Sequence, residues 1–285
     1  MGGSAQGVGP SPPPFFFERK QLQPLAERLA PEFASARPFP HVVIDDFLPK
    51  DVLVSLIDSY DEASGAWQEF DTRLEVKFAQ RDEEAMPEAV RHVVQQFNGQ
   101  VFLEFLSRLT GIPGLIADPG LVGGGMHQIA PGGLLKVHAD FNEHPQLRVD
   151  RRLNALLYLN DNWDESYGGH LELWNSDMSA RVHRIAPIAN RLVVFSTTRR
   201  SFHGHPDPLT CPPGRYRRSL AWYYYTAPKP MFRFRHSTLF QARPGEHDIA
   251  AVLKTGHHPV RDLVLRATPV GVKDWFESAR RRSRG

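Results

Sequence analysis

His138, Asp140 and His203 are the residues of this chain whose types and spacing could do chemistry together. Two imidazoles and a carboxylate on one face of an iron leave the remaining positions open to small molecules, which is the ligand set of a non-haem Fe(II) centre. Residues i and i+2 of a β-strand project to one side, so His138 and Asp140 can grip one metal while Ala139 turns away. An isolated His-x-Asp pair is cheap by chance in a chain with 13 histidines, so its company decides its meaning. That company is Ser201-Phe202-His203-Gly204-His205 and, further on, Arg217-Arg218-Ser219. Arginine offers a buried carboxylate a bidentate fork that lysine cannot. Arg217 and Ser219 are again i and i+2, so both can face one pocket from a strand over Tyr216 to Tyr225. Arg218 would point to the opposite face, and Arg215 falls in the preceding loop. His205 is the rival of His203 as third ligand, while His127 and His170 have weaker claims.

The elements that must position these groups are strands. From Gly120 onward the pattern predicts strands over Leu121 to Ile129, Leu134 to Asp140, Leu153 to Leu159, His170 to Trp174, Ala180 to Ile185, Arg191 to Ser196 and Tyr216 to Tyr225. Many short strands separated by Gly, Pro, Asn and Asp indicate a sandwich or barrel rather than alternating βαβ units. Ahead of them, apolar positions at helical spacing predict helices over Leu22 to Phe33, from Pro49 to about Tyr60, and as one long element from Pro87 to Leu109. A strand over His41 to Leu48 lies between the first two. The expected class is mainly β with flanking helices (α+β). Residues 1–14, rich in Gly and Pro, are expected to be disordered; 15–119 form a helical support region, 120–228 the β core, and 229–285 an extension packed on it. In that extension Met231 to Arg235 alternates like an edge strand, and Val272 to Arg282 reads as a terminal helix. The charged segment between Asp140 and Leu153 is either a loop over the site or a solvated connection.

Composition narrows the classes. A hydrophobic content of 41% with 23% charged residues is that of an ordinary globular protein of one large domain. No apolar run reaches the roughly 18 residues needed to cross a bilayer, and no basic-then-apolar signal opens the chain, so no membrane association and a cytoplasmic location are expected. The lone Cys211, in a Pro-rich loop, excludes an intrachain disulfide and suits a reducing compartment. A net charge of +2 lacks the concentrated basic face that nucleic acid requires, and Arg280-Arg281-Arg282 with Arg284 reads as a solvated helix end.

From about Pro38 to Ala227 the chain resembles the prolyl-4-hydroxylase-like branch of the Fe(II)/2-oxoglutarate-dependent dioxygenases. Four segments carry the likeness: Pro131-Gly132-Gly133 running into His138-Ala139-Asp140; Leu157-Tyr158-Leu159-Asn160 with Trp163; Tyr167-Gly168-Gly169-His170-Leu171-Glu172-Leu173; and Ser201 to His205 leading to Arg217-Arg218-Ser219-Leu220-Ala221-Trp222-Tyr223. The resemblance implies a double-stranded β-helix core, a jelly-roll relative of the cupins. It implies Fe(II) held by His138, Asp140 and His203, with the Ser-Phe-His-Gly run as the place of the distal ligand. It further implies 2-oxoglutarate as co-substrate, its distal carboxylate held by Arg217, Ser219 and Tyr158, with O2 consumed and ascorbate as an accessory reductant. Related halogenases have a small residue in place of the carboxylate, and the retained Asp140 points instead to hydroxylation with release of succinate and CO2. Gln128 and Leu171 are expected to line the pocket, and Asn154, in phase with Tyr158, to face the metal side. The motifs do not choose between a peptidyl residue such as proline and a small molecule, and they leave the oligomeric state open. Two other classes compete: a cupin-type metalloenzyme, which would have no need of Arg217 and Ser219, and a non-catalytic jelly-roll binding module.

Overall fold

The computed structural model describes residues 15–228 and 236–256. Its elements in chain order are α1 (Arg19–Ser35), β1 (His41–Ile44), α2 (Lys50–Ser59), β2 (Gln68–Asp71), β3 (Glu75–Gln80), α3 (Glu88–Asn98) and α4 (Gln100–Thr110). The strands β4 (Ile116–Ala117), β5 (Gly125–Ile129), β6 (Leu134–Ala139), β7 (Asp150–Tyr158), β8 (Leu171–Trp174), β9 (Arg181–Ile185) and β10 (Leu192–Ser196) follow. Then come β11 (His203–His205), β12 (Arg217–Thr226), β13 (Leu239–Phe240) and α5 (His247–Gly256). The strands join in the order β1-β10-β7-β12-β5-β3-β6-β11-β8-β9, with β2 on β3, β4 on β12 and β13 on β6.

Strand alternation divides the sheet into a helix-facing side and an interior. On β7, Leu153, Ala155 and Leu157 join one cluster with Val90, Phe97, Phe102 and Phe105 of α3 and α4. Between them Leu156 and Tyr158 face the other way, against Leu171 and Leu173 of β8 and Val193 and Phe195 of β10. Strands β8 and β7 are not neighbours in the sheet, so this second cluster is what rolls the sheet over on itself. On β12, Leu220, Trp222 and Tyr224 meet the helices, with Trp222 stacked on Phe97 at 4.0 Å between ring centroids. Each fully buried aromatic or aliphatic side chain in these layers stabilises the fold by roughly 1.5–3 kcal/mol.

Several elements depart from the sequence expectation. The helix expected from Pro87 to Leu109 is two helices, because Gly99 takes an extended backbone (ψ 161) between them. The expected strand from Leu121 starts only at Gly125: Asp118 accepts hydrogen bonds from the amides of Gly120 (2.9 Å) and Val122 (2.7 Å), which closes the preceding stretch into a turn. A hairpin, β2 and β3, lies in the stretch expected to be helical, and β3 inserts between β5 and β6. Strand β11 was not foreseen; three residues carry too little pattern to announce a strand, and its pairing with β6 and β8 creates it. Beyond β12, β13 pairs with β6, and Glu246 just before α5 bonds Lys136 at 2.8 Å. The expectations for residues 1–14, Met231 to Arg235, Val272 to Arg282 and the terminal arginines lie outside the described residues. Among the described residues, no helix is long and apolar enough to cross a membrane.

Candidate active site

The end of β6 carries His138, with Asp140 immediately past the strand, and β11 places His203 directly opposite His138. The two rings lie 4.5 Å apart between centroids. Their Nδ1 atoms are engaged by backbone carbonyls, His138 with Lys136 at 2.8 Å and His203 with Ser201 at 2.9 Å. A ring whose Nδ1–H donates to a carbonyl presents the Nε2 lone pair, which fixes both tautomers for metal binding. Each Nε2 lies 3.5 Å from a different Asp140 oxygen. The three donor atoms fall within 4.8 Å of one another, and among the described residues this is the one such convergence. Two imidazoles, each presenting Nε2, and a carboxylate oxygen converging on one point fit Fe(II).

Electrostatics keep the set in its ligating state. Burial alone would raise the Asp140 pKa, but Arg151, with His203 and His138, outweighs it and holds the carboxyl well below the usual range. Burial pushes His203 down to about 4 against the opposing pull of Asp140, so its ring is neutral near pH 7. Asn154 donates to Asp140 Oδ2 at 2.8 Å, as its phase with Tyr158 leads one to expect. Arg151 donates to Asn154 Oδ1 through Nε (3.1 Å) and Nη2 (2.7 Å), and Nη2 also lies 3.1 Å from Asp140. The guanidinium is stacked on Tyr223, 3.4 Å from the ring centroid. A cavity of about 710 Å³ opens beside His138 and Asp140, with Lys77, His127, Phe141, Arg151, Tyr223 and Phe240 in its wall.

Arg217 and Ser219 lie on β12 with their side chains on the interior face, and Ser219 is the cross-strand partner of Tyr158. Arg217 Nε donates to the Gly169 carbonyl at 2.6 Å and Nη2 lies 3.3 Å from the Tyr158 hydroxyl. The guanidinium is buried, and no described carboxylate pairs with it. Burial accordingly lowers its pKa, opposed only by Tyr158. A buried cation without a counter-anion is costly, and a carboxylate delivered by a ligand would relieve that cost. The pocket therefore fits the distal end of 2-oxoglutarate. Gly169 (φ 69) has to be glycine here, since a Cβ would lie 2.9 Å from Arg217 Cδ and 2.6 Å from Leu209 Cδ2.

The rivals are placed elsewhere. Arg218 points to the opposite face, paired with Asp61 and over the Tyr60 ring, and Arg215 bonds the Asp161 carbonyl in a loop. His170 meets Glu165 at 3.1 Å, away from the triad. His127 lines the cavity but is outside the ligand set, and burial pushes its pKa down to about 3. His205 is buried and also outside the set. Leu171 packs against Tyr158, whereas Gln128 pairs with Arg218 and Phe78 and is not part of the cavity wall. Cys211 is buried among Ile129, Trp163 and Leu209, with its pKa raised by burial, not displayed on a surface loop.

Sequence reasoning left Arg151 in a charged connection and overlooked the hairpin that walls the cavity. Arg151 shares parity with Leu153, which faces the helices. A register shift, with Tyr224 opposite Leu153 but Tyr225 opposite Arg151, adds one residue to β7 and turns Arg151 inward. Its run of charges, Arg148 to Arg152, carries no signal of that bulge.

The rolled antiparallel sheet thus brings a converging His-Asp-His set and a buried arginine to its interior face. Residues 124–225 match the family model of the 2OG-Fe(II) oxygenase superfamily. Among solved structures the chain is similar to a prolyl hydroxylase from Trichoplax adhaerens in complex with a hypoxia inducible factor oxygen degradation domain peptide fragment. That match has 20% identity, covers 72% of this chain and 91% of the other, and has a TM-score of 0.54. A prolyl-4-hydroxylase from Pseudomonas putida matches at 20% identity over 71% of this chain and 100% of its own, with a TM-score of 0.49. A search of curated protein sequences gives no significant match. The first likeness shows the fold, and the core is a double-stranded β-helix.

Proposed function

We propose that the chain hydroxylates a C–H bond of a peptidyl residue, proline-like in shape, or of a small molecule, converting 2-oxoglutarate and O2 to succinate and CO2. His138, Asp140 and His203 would hold Fe(II), and Arg217, Ser219 and Tyr158 would hold the distal carboxylate of the co-substrate. The iron, when bound, supplies O2 activation coupled to oxidative decarboxylation of the 2-oxo acid, and ascorbate would serve as an accessory reductant. The protein's own residues do the rest. The two Nδ1–carbonyl bonds aim the Nε2 atoms of the histidines; Asn154 and Arg151 hold the Asp140 carboxylate; Phe141, Tyr223 and Phe240 wall the space where a substrate would lie. The observation that carries this reading is the buried, carboxylate-free Arg217 in the same interior as the triad, because a cupin that ignores 2-oxoglutarate or a binding module has no use for it. The cavity suits a small molecule or a peptide side chain, and a cytoplasmic site of action is consistent with the lone cysteine.

The test is spectroscopic and chemical. Anaerobic protein given Fe(II) and 2-oxoglutarate should develop the weak visible charge-transfer band of a chelated 2-oxo acid, and air should then yield succinate, faster with the true substrate. His138→Ala, Asp140→Ala and His203→Ala should each lose both signals while keeping the wild-type circular dichroism. Folded, iron-loaded wild-type protein with neither band nor succinate would refute the oxygenase assignment. Mass spectrometry of a substrate panel, looking for a gain of one oxygen atom, would separate peptide from small-molecule substrates.

A further inference from the structure

His205 is a buried imidazole without a task. Its side chain is enclosed, and neither ring nitrogen has a hydrogen-bond partner. Buried polar atoms in folded proteins are nearly always paired, so two orphaned nitrogens on one ring point to a missing partner. It is outside the metal-ligand set, since among the described residues only His138, Asp140 and His203 converge.

Its direction follows from the register of β11 on β6. His203 stands opposite His138, but His205 stands opposite Leu135, so β6 carries one extra residue between the two pairs. Residues directly opposite each other in a sheet share a face. His138 and Leu135 both line the cavity, so His205 faces the interior with His203. A Cβ on the intervening Gly204 would lie 2.8 Å from the Leu135 carbonyl oxygen, so this glycine lets β11 press close to the bulged strand. The titratable groups acting on His205 from the surrounding strands are Arg217 on β12, Lys77 on β3 and His138 on β6, with Arg217 the strongest. His205 therefore faces the same interior as the metal ligands, within reach of the field of the Arg217 guanidinium.

We propose that His205 is a co-substrate-binding residue whose ring N–H donates a hydrogen bond to the distal carboxylate of 2-oxoglutarate beside Arg217. The proposal rests on the reading of this site as an Fe(II)/2-oxoglutarate centre. A carboxylate has about four lone-pair directions, more than the arginine fork alone satisfies. A neutral imidazole adds a directional donor without adding a second buried cation next to Arg217.

The experiment is calorimetric and needs no turnover. The full chain is loaded anaerobically with Co(II) and titrated with 2-oxoglutarate and, separately, with 2-oxobutyrate, which has the same chelating end but no distal carboxylate. His205→Leu, of similar bulk without a donor, should weaken 2-oxoglutarate about ten-fold, the worth of one hydrogen bond to a charged group. It should leave Co(II) and 2-oxobutyrate affinities unchanged. His205→Gln, which restores an N–H, should recover most of the loss. Unchanged 2-oxoglutarate affinity in folded His205→Leu overturns the proposal, and so does an equal loss for both acids, which would mean that His205 acts through the metal or the fold. Wild-type protein that binds Co(II) but not 2-oxoglutarate overturns the site reading itself, and the proposal falls with it.

Discussion

Arg217 shows at the scale of one residue how burial turns a common side chain into a selective group. On the surface its charge would be solvated; in the interior, with the Gly169 carbonyl and the Tyr158 hydroxyl as its partners and no described carboxylate, it is a buried cation that an incoming anion would relieve. Breaking a buried charge pair on one side costs about 2–5 kcal/mol. Arg217→Ala should therefore raise the apparent KM for 2-oxoglutarate by ten-fold or more while Fe(II) affinity changes little. An unchanged KM would show that the distal carboxylate is bound elsewhere. Arg151 is the complementary case, since its charge is spent on Asp140 and on stacking against Tyr223. Strand phase and the loop boundary already set Arg217 apart from Arg218 and Arg215; its surroundings added the burial and the lack of a described carboxylate.

At the scale of elements, the site depends on strands held closer than side chains would allow. Gly125 opens β5 with φ 88, and a Cβ there would lie 2.5 Å from the Gln80 carbonyl oxygen at the end of β3. The clash is with backbone, so a substituted strand must move away or remain strained. Gly125→Ala should destabilise the protein by about 1–3 kcal/mol, the usual cost of a strained non-glycine backbone, read as a fall in the urea midpoint. It should also loosen the β2–β3 hairpin that carries Lys77 into the cavity wall. A midpoint equal to wild type would show that β3 is not held by this contact. The strands β6, β7 and β12 were legible because long apolar alternation announces them, whereas β3 and β11 owe their existence to neighbours distant in the chain.

At the scale of the whole molecule, the interior holds several histidines that must stay neutral. Burial pushes His127 down to about 3 and lowers His41 and His170, each against an ordinary value near 6.5. The unfolded chain therefore takes up protons that the folded one refuses. The stability these groups contribute is fully present above about pH 6.5 and is lost as pH falls towards their folded values, by about 1.4 kcal/mol per pH unit for a fully buried group such as His127. The urea midpoint of metal-free protein should be flat near pH 7–8 and fall steadily from pH 6.5 to pH 4.5, with a shallower slope in His127→Asn. A midpoint unchanged over that interval would contradict the buried-neutral assignment. Asp140 does not contribute in this window, because its depressed pKa matters only below the ordinary carboxylate value.

The sequence by itself named the candidate donors, with His205 a rival of His203 until the family resemblance favoured His203, and the faces of the long strands, because side-chain chemistry and a two-residue period are local properties that any extended segment must obey. It therefore placed His138, Asp140, His203, Arg217, Ser219 and Tyr158 as candidates and put Arg218 outside. Only the tertiary structure decided which strands are neighbours and where their registers slip. The extra residue in β7 turns Arg151 from the helix side onto Asp140, and the extra residue in β6 sets His205 opposite Leu135 and inside the roll. A register shift is fixed by the partner strand, whose position along the chain is remote, so no local pattern in the sequence can carry it.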